Sequence, residues 1–377
     1  MAEHKQLTFN IINKVETTLP SFLEKPGRKF VEYGNDNLFP QFIASLYAKS
    51  AINRTAILSK LDGTIGKGLT TNNEATEYTL KMANPKESWN DVFEKVALDY
   101  IMFGGWSINV IWSNDGETIA EFYHVDFSRV RSGIYNPDCD KVDKYYYAVD
   151  WTQWRKFKPF EYAAYDPSKS LEEPSQLIYG FDYEPNTIFY PLPSYSGGIN
   201  DIQTDIEVSL FHINNLQNGL TPSLFIGLNN GVPDDLARQE IYDEITMAFK
   251  GAENAGKAFI AFSDDKEHAP DVVPIPAANS DYYVTLESRI TNRILSAHRI
   301  TSPLLLGLHV DGTGFSSNAA EIETSYEHFI STVIKPIQKT LLKEFNQIMY
   351  YKGYKDIELS IVPNKLFDSK LKTDAIE

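Results

Sequence analysis

The sequence predicts an α+β protein, and three observations lead to that prediction. In the first half, a helical period of apolar residues gives way to segments rich in β-branched and aromatic residues, which are typical of strands. The proline- and glycine-rich segment Pro191–Gly198 (PLPSYSGG) then interrupts the chain. Beyond it lies the strongest helical pattern, Asn318–Tyr350, with apolar residues at intervals of three, four and one.

Two short helices are predicted near the N-terminus. Gln41–Ala48 carries apolar residues at helical spacing, and a second helix is predicted over Ser50–Leu61. Three glycines follow the second helix, at Gly63, Gly66 and Gly68. Because glycine is a poor helix former, they are expected to end it.

A longer helix and three strands complete the first half. Trp89–Met102 is predicted to be helical because its apolar residues recur at helical spacing. Ser107–Trp112 and Thr118–Val125 are predicted strands, and the Asn114-Asp115-Gly116 turn between them is typical of a hairpin. The tyrosine-rich segment Lys144–Trp151 is a further predicted strand.

The second half alternates helices and short strands before the long helix. The predicted elements are, in order, a helix at Ile199–Leu216, a strand at Leu220–Leu228, a helix at Pro233–Phe249, a loop at Gly251–Gly256, a strand at Ala258–Phe262, a helix at Ser280–His298 and a loop at Gly307–Ser317. Pro336 lies inside the long helix. A proline deprives the Thr332 carbonyl of its helical donor, so a kink is expected at Pro336.

Composition limits the function without defining it. The 377-residue chain is 42% hydrophobic, which suffices for one large core or a few modest ones. Its single cysteine, Cys139, excludes an intrachain disulfide framework, and no signal peptide or membrane span is predicted. The net charge of −16 is compatible with an ordinary acidic protein, and equally with a surface that stays near DNA without binding it.

Chemical motifs favour a protein that is not an enzyme. Gly251–Lys257 matches the phosphate-binding pattern G-x-x-x-x-G-K, but Ala258 stands where a magnesium-binding Ser or Thr is needed. The loop also follows a predicted helix and precedes a strand, the reverse of a phosphate-binding loop. No G-x-S-x-G elbow occurs, and the histidines lack metal-ligand spacing: His4, His124, His212, His268, His298, His309 and His328. No catalytic, cofactor-binding or metal-binding residue is therefore predicted.

A set of motifs in the second half occurs in a characteristic order. They are the helix Gly198–Leu216 running into NGLTP at 218–222, GAENAGKAFI at 251–260, the helix Tyr282–His298 closing on ITSPLLLG at 300–307, Ser317-Asn318 followed by AAE at 319–321, VIKP at 333–336 and EFN at 344–346. Tyr33–Pro40 and Ile65–Leu69 add weaker matches. Over about residues 30–350 this order resembles the portal proteins (head-to-tail connectors) of tailed bacteriophages.

The resemblance implies a division of the chain. It consists of an α+β wing at 1–198, stem helix 1 at 199–217, a small α/β clip at 218–268, stem helix 2 at 269–300, a tunnel loop region at 301–318, a kinked tunnel helix at 319–350 and a C-terminal wing or short crown at 351–377. The chain ends soon after the long helix, so a large crown is expected to be absent or minimal.

The resemblance also implies a function. A portal forms a ring, expected here to be a dodecamer, at one capsid vertex and serves genome packaging and ejection. Expected partners are double-stranded DNA passing through without sequence-specific contacts, the terminase large subunit, the major capsid or scaffold protein and neck or adaptor proteins, with no membrane and no cofactor. The expected location is the virion, and the host cytoplasm during assembly. Another ring-forming neck or adaptor component and a nucleotide-binding enzyme using Gly251–Lys257 remain as alternatives.

The resemblance places a DNA-facing tunnel loop just before the long helix. Its residues are His309, Val310, Asp311, Gly312, Thr313, Gly314, Phe315, Ser316, Ser317 and Asn318. The loop has no Lys or Arg, which suits a lining that does not grip phosphates. Asp201, Asp205 and Glu321 are candidate neighbours in the channel lining. Phe315 could meet DNA at the loop tip or pack on a neighbouring subunit.

Overall fold

The computed structural model describes residues 22, 24–185, 187–218, 224–228, 236, 237, 239, 240, 258–262, 280–306 and 319–364. Within them the α-helices are α1 Phe39–Lys49, α2 Ala51–Ile65, α3 Trp89–Phe103, α4 Ile199–Asn218, α5 Ser280–Ala297, α6 Ala319–Phe329 and α7 Lys335–Tyr351. The strands are β1 Leu69–Thr71, β2 Gly105–Trp112, β3 Ile119–His124, β4 Val130–Ser132, β5 Tyr135–Asn136, β6 Lys141–Val142, β7 Lys144–Tyr147, β8 Phe160–Ala164, β9 Ser175–Phe181, β10 Leu224–Leu228, β11 Ala258–Phe262 and β12 Leu359–Ile361. The α+β fold class is as predicted.

Residues at the two ends of α3 determine where this helix begins and ends. Ser88 accepts a hydrogen bond from the Asp91 amide, and the Asp91 side chain accepts one from the Ser88 amide, so both groups cap the first turn. Gly104 ends the helix with a left-handed φ of 82°. Glycine adopts that conformation without the steric cost that a Cβ would add. The bounds predicted from the sequence agree with the structure to within one residue.

A mixed six-stranded sheet forms the centre of the first half. Its strand order is β3-β2-β9-β8-β7-β4. The pair β8 and β9 runs parallel, and the other neighbours run antiparallel. The predicted β2–β3 hairpin is present, and its turn contains Gly116 at a φ of 70°.

Two sequence predictions in the first half need correction. The strand predicted over Lys144–Trp151 ends at Tyr147, and Trp151 begins a 3₁₀ turn instead. The Trp151 indole nitrogen donates to the Arg129 carbonyl at 2.8 Å, and this contact accompanies the departure of the chain from the sheet. Gly63 does not terminate α2 but lies inside it, since the helix continues to Ile65 and is capped at Gly66.

One hydrophobic core joins the two ends of the chain. Phe345 of α7 is fully buried and packs edge-on against Phe93 of α3, with ring centroids 5.1 Å apart. The rings of Trp89 and Phe122 also contact it. Beyond α7, β12 pairs antiparallel with β1. The last helix is therefore part of the same core as the first half.

In the second half, the long helix predicted as one element is divided by a turn at Ile330–Ile334, and the strand β12 was not predicted. The helices α4 and α5 and the strand β11 form close to their predicted bounds, and β10 covers the described part of the strand predicted at Leu220–Leu228. The two strands pair in parallel with Leu224 opposite Ala258. Most of the helix predicted at Pro233–Phe249 and all of Gly251–Lys257 lie outside the described residues, as does the loop at Gly307–Ser317.

Candidate functional site

The helices α4 and α5 pack against each other as an antiparallel pair. Arg293 Nη1 of α5 lies 3.2 Å from Asp201 Oδ1 near the start of α4, and His212 Nε2 lies 3.0 Å from Glu287 Oε1 farther along. As residue numbers rise along α4 they fall along α5, which gives the antiparallel direction. These are the segments that the resemblance to portal proteins assigns to the two stem helices.

The base of this pair is anchored in the first half of the chain. Ile202 of α4 and Ile294 of α5 are fully buried in the shared core. Asp205 accepts a hydrogen bond from the Ser50 hydroxyl at 2.7 Å, and Ser50 is also the N-cap of α2. The contact therefore fixes α4 against the start of α2.

The candidate channel residues differ in their contacts and in whether the structure describes their surroundings. Asp201 and Asp205 are partly buried, and their carboxylates contact Arg293 and Ser50 of the same chain. Glu321 lies in the first turn of α6. The tunnel loop from His309 to Asn318 lies outside the described residues, so its relation to these carboxylates stays a prediction.

The long helix is interrupted just before Pro336. A π-helical turn spans Ile330–Ile334, and within it the Lys335 amide donates to the Ile330 carbonyl, five residues back. Pro336 has no amide hydrogen, so the Thr332 carbonyl lacks its usual donor four residues on. A π-turn is a common way for a helix to accommodate such an irregularity. A bend of the helix axis at Pro336 stays a prediction.

An arginine at the end of α5 contacts this interruption. Arg299 Nη2 donates to the Thr332 carbonyl at 3.1 Å. Arg299 has a left-handed φ of 59°, which is uncommon for a residue other than glycine. The guanidinium thus reaches the carbonyl that Pro336 leaves without its helical partner.

The interruption also rests directly on α2. A Cβ added at Gly63 would lie 3.0 Å from Cγ1 of Ile334, so glycine allows the π-turn to approach closely. On the other side of Pro336, Gln338 Nε2 donates to the carbonyls of Gly63 and Thr64, each at 3.1 Å. These carbonyls belong to the last turn of α2, where helical donors are missing.

Buried polar groups lie at the same junction. His298 is fully buried, and its Nε2 lies 2.9 Å from Asn53 Oδ1. Since an amide oxygen only accepts, Nε2 carries the proton in the neutral ring. Burial, with a smaller contribution from the charge of Lys60, holds the pKa of His298 well below its usual range.

Lys60 is the most unusual of these groups. It lies on the buried face of α2 and is 3% exposed. Burial, together with the charge of Arg299, lowers the pKa of Lys60 to about 7. Among the described residues no carboxylate pairs with it. A cationic lysine here therefore costs folding free energy that a neutral one does not.

No sequence motif singled out Lys60, Arg299 or Asn53. Lys60 occupies an apolar position of the α2 pattern, with Asn53 and Ile57 on the same face, and this placement was the only sign visible in the sequence. The left-handed conformation of Arg299 depends on how α5 ends and could not be anticipated.

The described ranges contain no group of three or more His, Cys, Asp or Glu side chains arranged to hold a metal ion. None of the helices within them combines the length and apolar character required to span a bilayer.

The α+β fold is similar to that of chains in the neck of gene transfer agent (GTA) particles. A chain from the neck of an empty GTA particle, computed with C6 symmetry, superimposes with a TM-score of 0.60 at 16% identity, covering 92% of this chain and 89% of that chain. A chain from the neck of a native GTA particle, computed with C12 symmetry, gives 0.57 at 16% identity, covering 89% and 87%. These similarities establish a shared fold.

A third structure is more distant. An HK97-family phage portal protein from Corynebacterium diphtheriae superimposes with a TM-score of 0.49 at 14% identity, covering 89% of this chain and 98% of that chain. Neither a protein-family model nor a curated protein sequence matches this chain.

Proposed function

We propose that this chain is the portal subunit of a phage or phage-like particle. In this role it forms a ring at one capsid vertex, through which the genome is packaged and later ejected. The observation that carries the proposal is the fold shared with GTA neck chains over about nine-tenths of both chains. The ordered motifs of the second half support the same assignment independently, because they were identified from the sequence alone.

Ring assembly is part of the proposal. The similar GTA necks were computed with C6 and C12 symmetry, which supports a cyclic oligomer for this chain as well. We propose a dodecamer, with α4 and α5 as the two stem helices. The clip at 218–268 would face the terminase motor during packaging and the neck or adaptor proteins afterwards.

Electrostatics support a channel that lets DNA slide. Each chain carries a net charge of −16, and the proposed tunnel loop at 309–318 has no Lys or Arg. Neutralisation of phosphates by Lys and Arg is the main source of non-specific affinity for DNA. A ring with such a lining guides DNA without holding it, and the subunit needs no catalytic site, cofactor or metal for that task.

Particle mass and shape test the proposal. The purified full-length protein is measured by mass photometry and imaged end-on by electron microscopy. A ring of about twelve 42.8 kDa chains, roughly half a megadalton, with a central channel is expected. A purified protein that stays a monomer or dimer would contradict the proposal.

A neck or adaptor component is the second candidate, because the similar structures are described as necks. The two roles differ in what the protein needs in order to assemble. A portal is expected to form rings alone and to support packaging into empty shells. An adaptor is expected to join only capsids that already contain a portal and DNA.

A nucleotide-binding role would depend on Gly251–Lys257. The expected result is no saturable ATP binding by the wild type, and no change on Lys257→Ala. Binding by the wild type that this substitution abolishes would favour the enzyme alternative.

A further inference from the structure

The helix α5 ends in a motif that normally calls for glycine. The Arg299 amide donates to the Ser296 carbonyl and the Ile300 amide to the Leu295 carbonyl, both at 2.9 Å. This pair of bonds defines a Schellman motif, in which the residue with left-handed φ is usually glycine. Arg299 occupies that position at a φ of 59°. A residue other than glycine is strained in this conformation because its Cβ approaches the backbone too closely.

The guanidinium of this strained residue has a specific acceptor. It donates to the Thr332 carbonyl at 3.1 Å, and Thr332 lies four residues before Pro336, which has no amide hydrogen to offer. Thr332 is half-buried, and a helical carbonyl that has lost its donor is stabilised by a hydrogen bond from another group. The arginine therefore replaces the bond that the proline removes.

We propose that Arg299 is a releasable lock between the end of α5 and the interrupted helix. The backbone strain at Arg299 is retained because the side chain has this role. Two polar anchors lie on either side of Pro336, in addition to the burial of Val333 and Ile334 against α2 and α5. Gln338 fixes α7 to the end of α2, whereas Arg299 holds the preceding π-turn against α5.

The two anchors differ in how easily they open. Arg299 is exposed and contributes a single hydrogen bond, whereas α7 is also held by buried residues such as Phe345. Opening the lock is therefore expected to loosen the hydrogen bonds of the π-turn and α6, while the buried side chains of the π-turn and of α7 stay in the core. The lock does not depend on the proposed function, since all its parts belong to one chain.

Amide hydrogen exchange of the full-length protein tests the lock. In Arg299→Gly, amides in residues 322–334 are expected to exchange about tenfold faster, the effect of losing one charge-assisted hydrogen bond. Amides in residues 341–349 are expected to be unchanged. If Arg299 had no such role, glycine would only relieve strain, and exchange would slow or stay the same. Either of those results would overturn the proposal.

A double-mutant cycle with Pro336→Ala makes the test specific. Alanine at 336 restores an amide hydrogen four residues after Thr332, so the guanidinium is no longer needed. The tenfold effect of Arg299→Gly is expected to fall below about twofold in this background. An equal effect in both backgrounds would show that Arg299 acts through something other than the orphaned carbonyl.

Two further variants serve as a control and as a substitute for Arg299→Gly. Arg289→Gln removes an exposed guanidinium from the same helix and is expected to leave exchange at 322–334 unchanged. If Arg299→Gly does not yield folded protein, Arg299→Asn replaces it, because asparagine also tolerates the left-handed conformation. Its expected and contradicting results are the same as for glycine.

Discussion

Arg131 and Asn37 form a buried pair, in which the Arg131 guanidinium donates to both the side chain and the backbone carbonyl of Asn37. Arg131 Nε donates to Asn37 Oδ1 at 2.6 Å and its Nη2 donates to the Asn37 carbonyl at 2.7 Å. The remaining donors reach Gln41 and the carbonyls of Ser128 and Val130. The guanidinium is fully buried, and all five of its hydrogens are used.

The first prediction is that Arg131→Met lowers the free energy of unfolding by at least about 3 kcal/mol, because several buried acceptors lose a charged donor at once. Chemical denaturation measures this loss. The matched control is Arg129→Met, which removes a partly exposed arginine paired with Asp126 at 3.2 Å. The control is expected to cost no more than about 1 kcal/mol. Equal losses in the two variants would contradict the assigned role of Arg131.

The second prediction concerns the shared core. Phe345→Ala should lower the free energy of unfolding by about 3–5 kcal/mol, since it leaves a cavity among Phe93, Trp89 and Phe122. Phe157→Ala, at a side chain that is 60% exposed, is expected to cost less than about 1 kcal/mol. A loss below about 1 kcal/mol for Phe345→Ala would mean that α7 is not part of this core.

The third prediction is a pH dependence caused by Lys60. Its pKa of about 7 in the folded protein lies below the ordinary value. An unfolded lysine titrates near 10.4, so between about pH 7 and pH 10 the folded state binds fewer protons than the unfolded state. Stability attributable to Lys60 should therefore rise with pH across this window, by up to about 1.4 kcal/mol per pH unit.

The variant Lys60→Met isolates this effect. It should be more stable than the wild type at pH 7, and the difference should shrink by about 2 kcal/mol or more on raising the pH to about 9.5. Lys49→Met, at an exposed position of α1, should show no such trend. A difference that stays constant with pH would indicate that Lys60 remains charged throughout the range.

The fourth prediction tests the tunnel loop that the sequence resemblance implies. Ser316→Lys with Ser317→Lys adds about twenty-four positive charges to a twelve-membered ring. These charges should increase affinity for DNA and slow packaging, most strongly at low salt, where screening is weakest. Packaging rates in wild-type and substituted particles across salt concentrations give the comparison.

The control for this prediction separates charge from side-chain size. Ser316→Gln with Ser317→Gln adds polar length without charge and should package at the wild-type rate. Rings must be confirmed intact in both variants by electron microscopy. Equal packaging rates for the lysine variant at every salt concentration would show that this loop does not face DNA.

The helices were the part of the fold most accessible from sequence. Both α3 and α4 were predicted close to their observed bounds, because their apolar period and their capping or turn residues are local properties. Strands β8 and β9 were not predicted. Their pairing joins residues distant in the chain, as when β9 lies beside β2, and short strands of mixed polarity show little pattern of their own.

By itself, the sequence determined the α+β class, the succession of elements in the second half and the position of Pro336 within the last helix. Those features depend on residues near each other in the chain. Only the tertiary structure decided that Lys60 is buried without a carboxylate, that Phe345 completes the core of the first half and that Arg299 reaches Thr332. Each depends on which distant segments pack together, and packing sets the burial and donor geometry on which pKa values and hydrogen bonds depend.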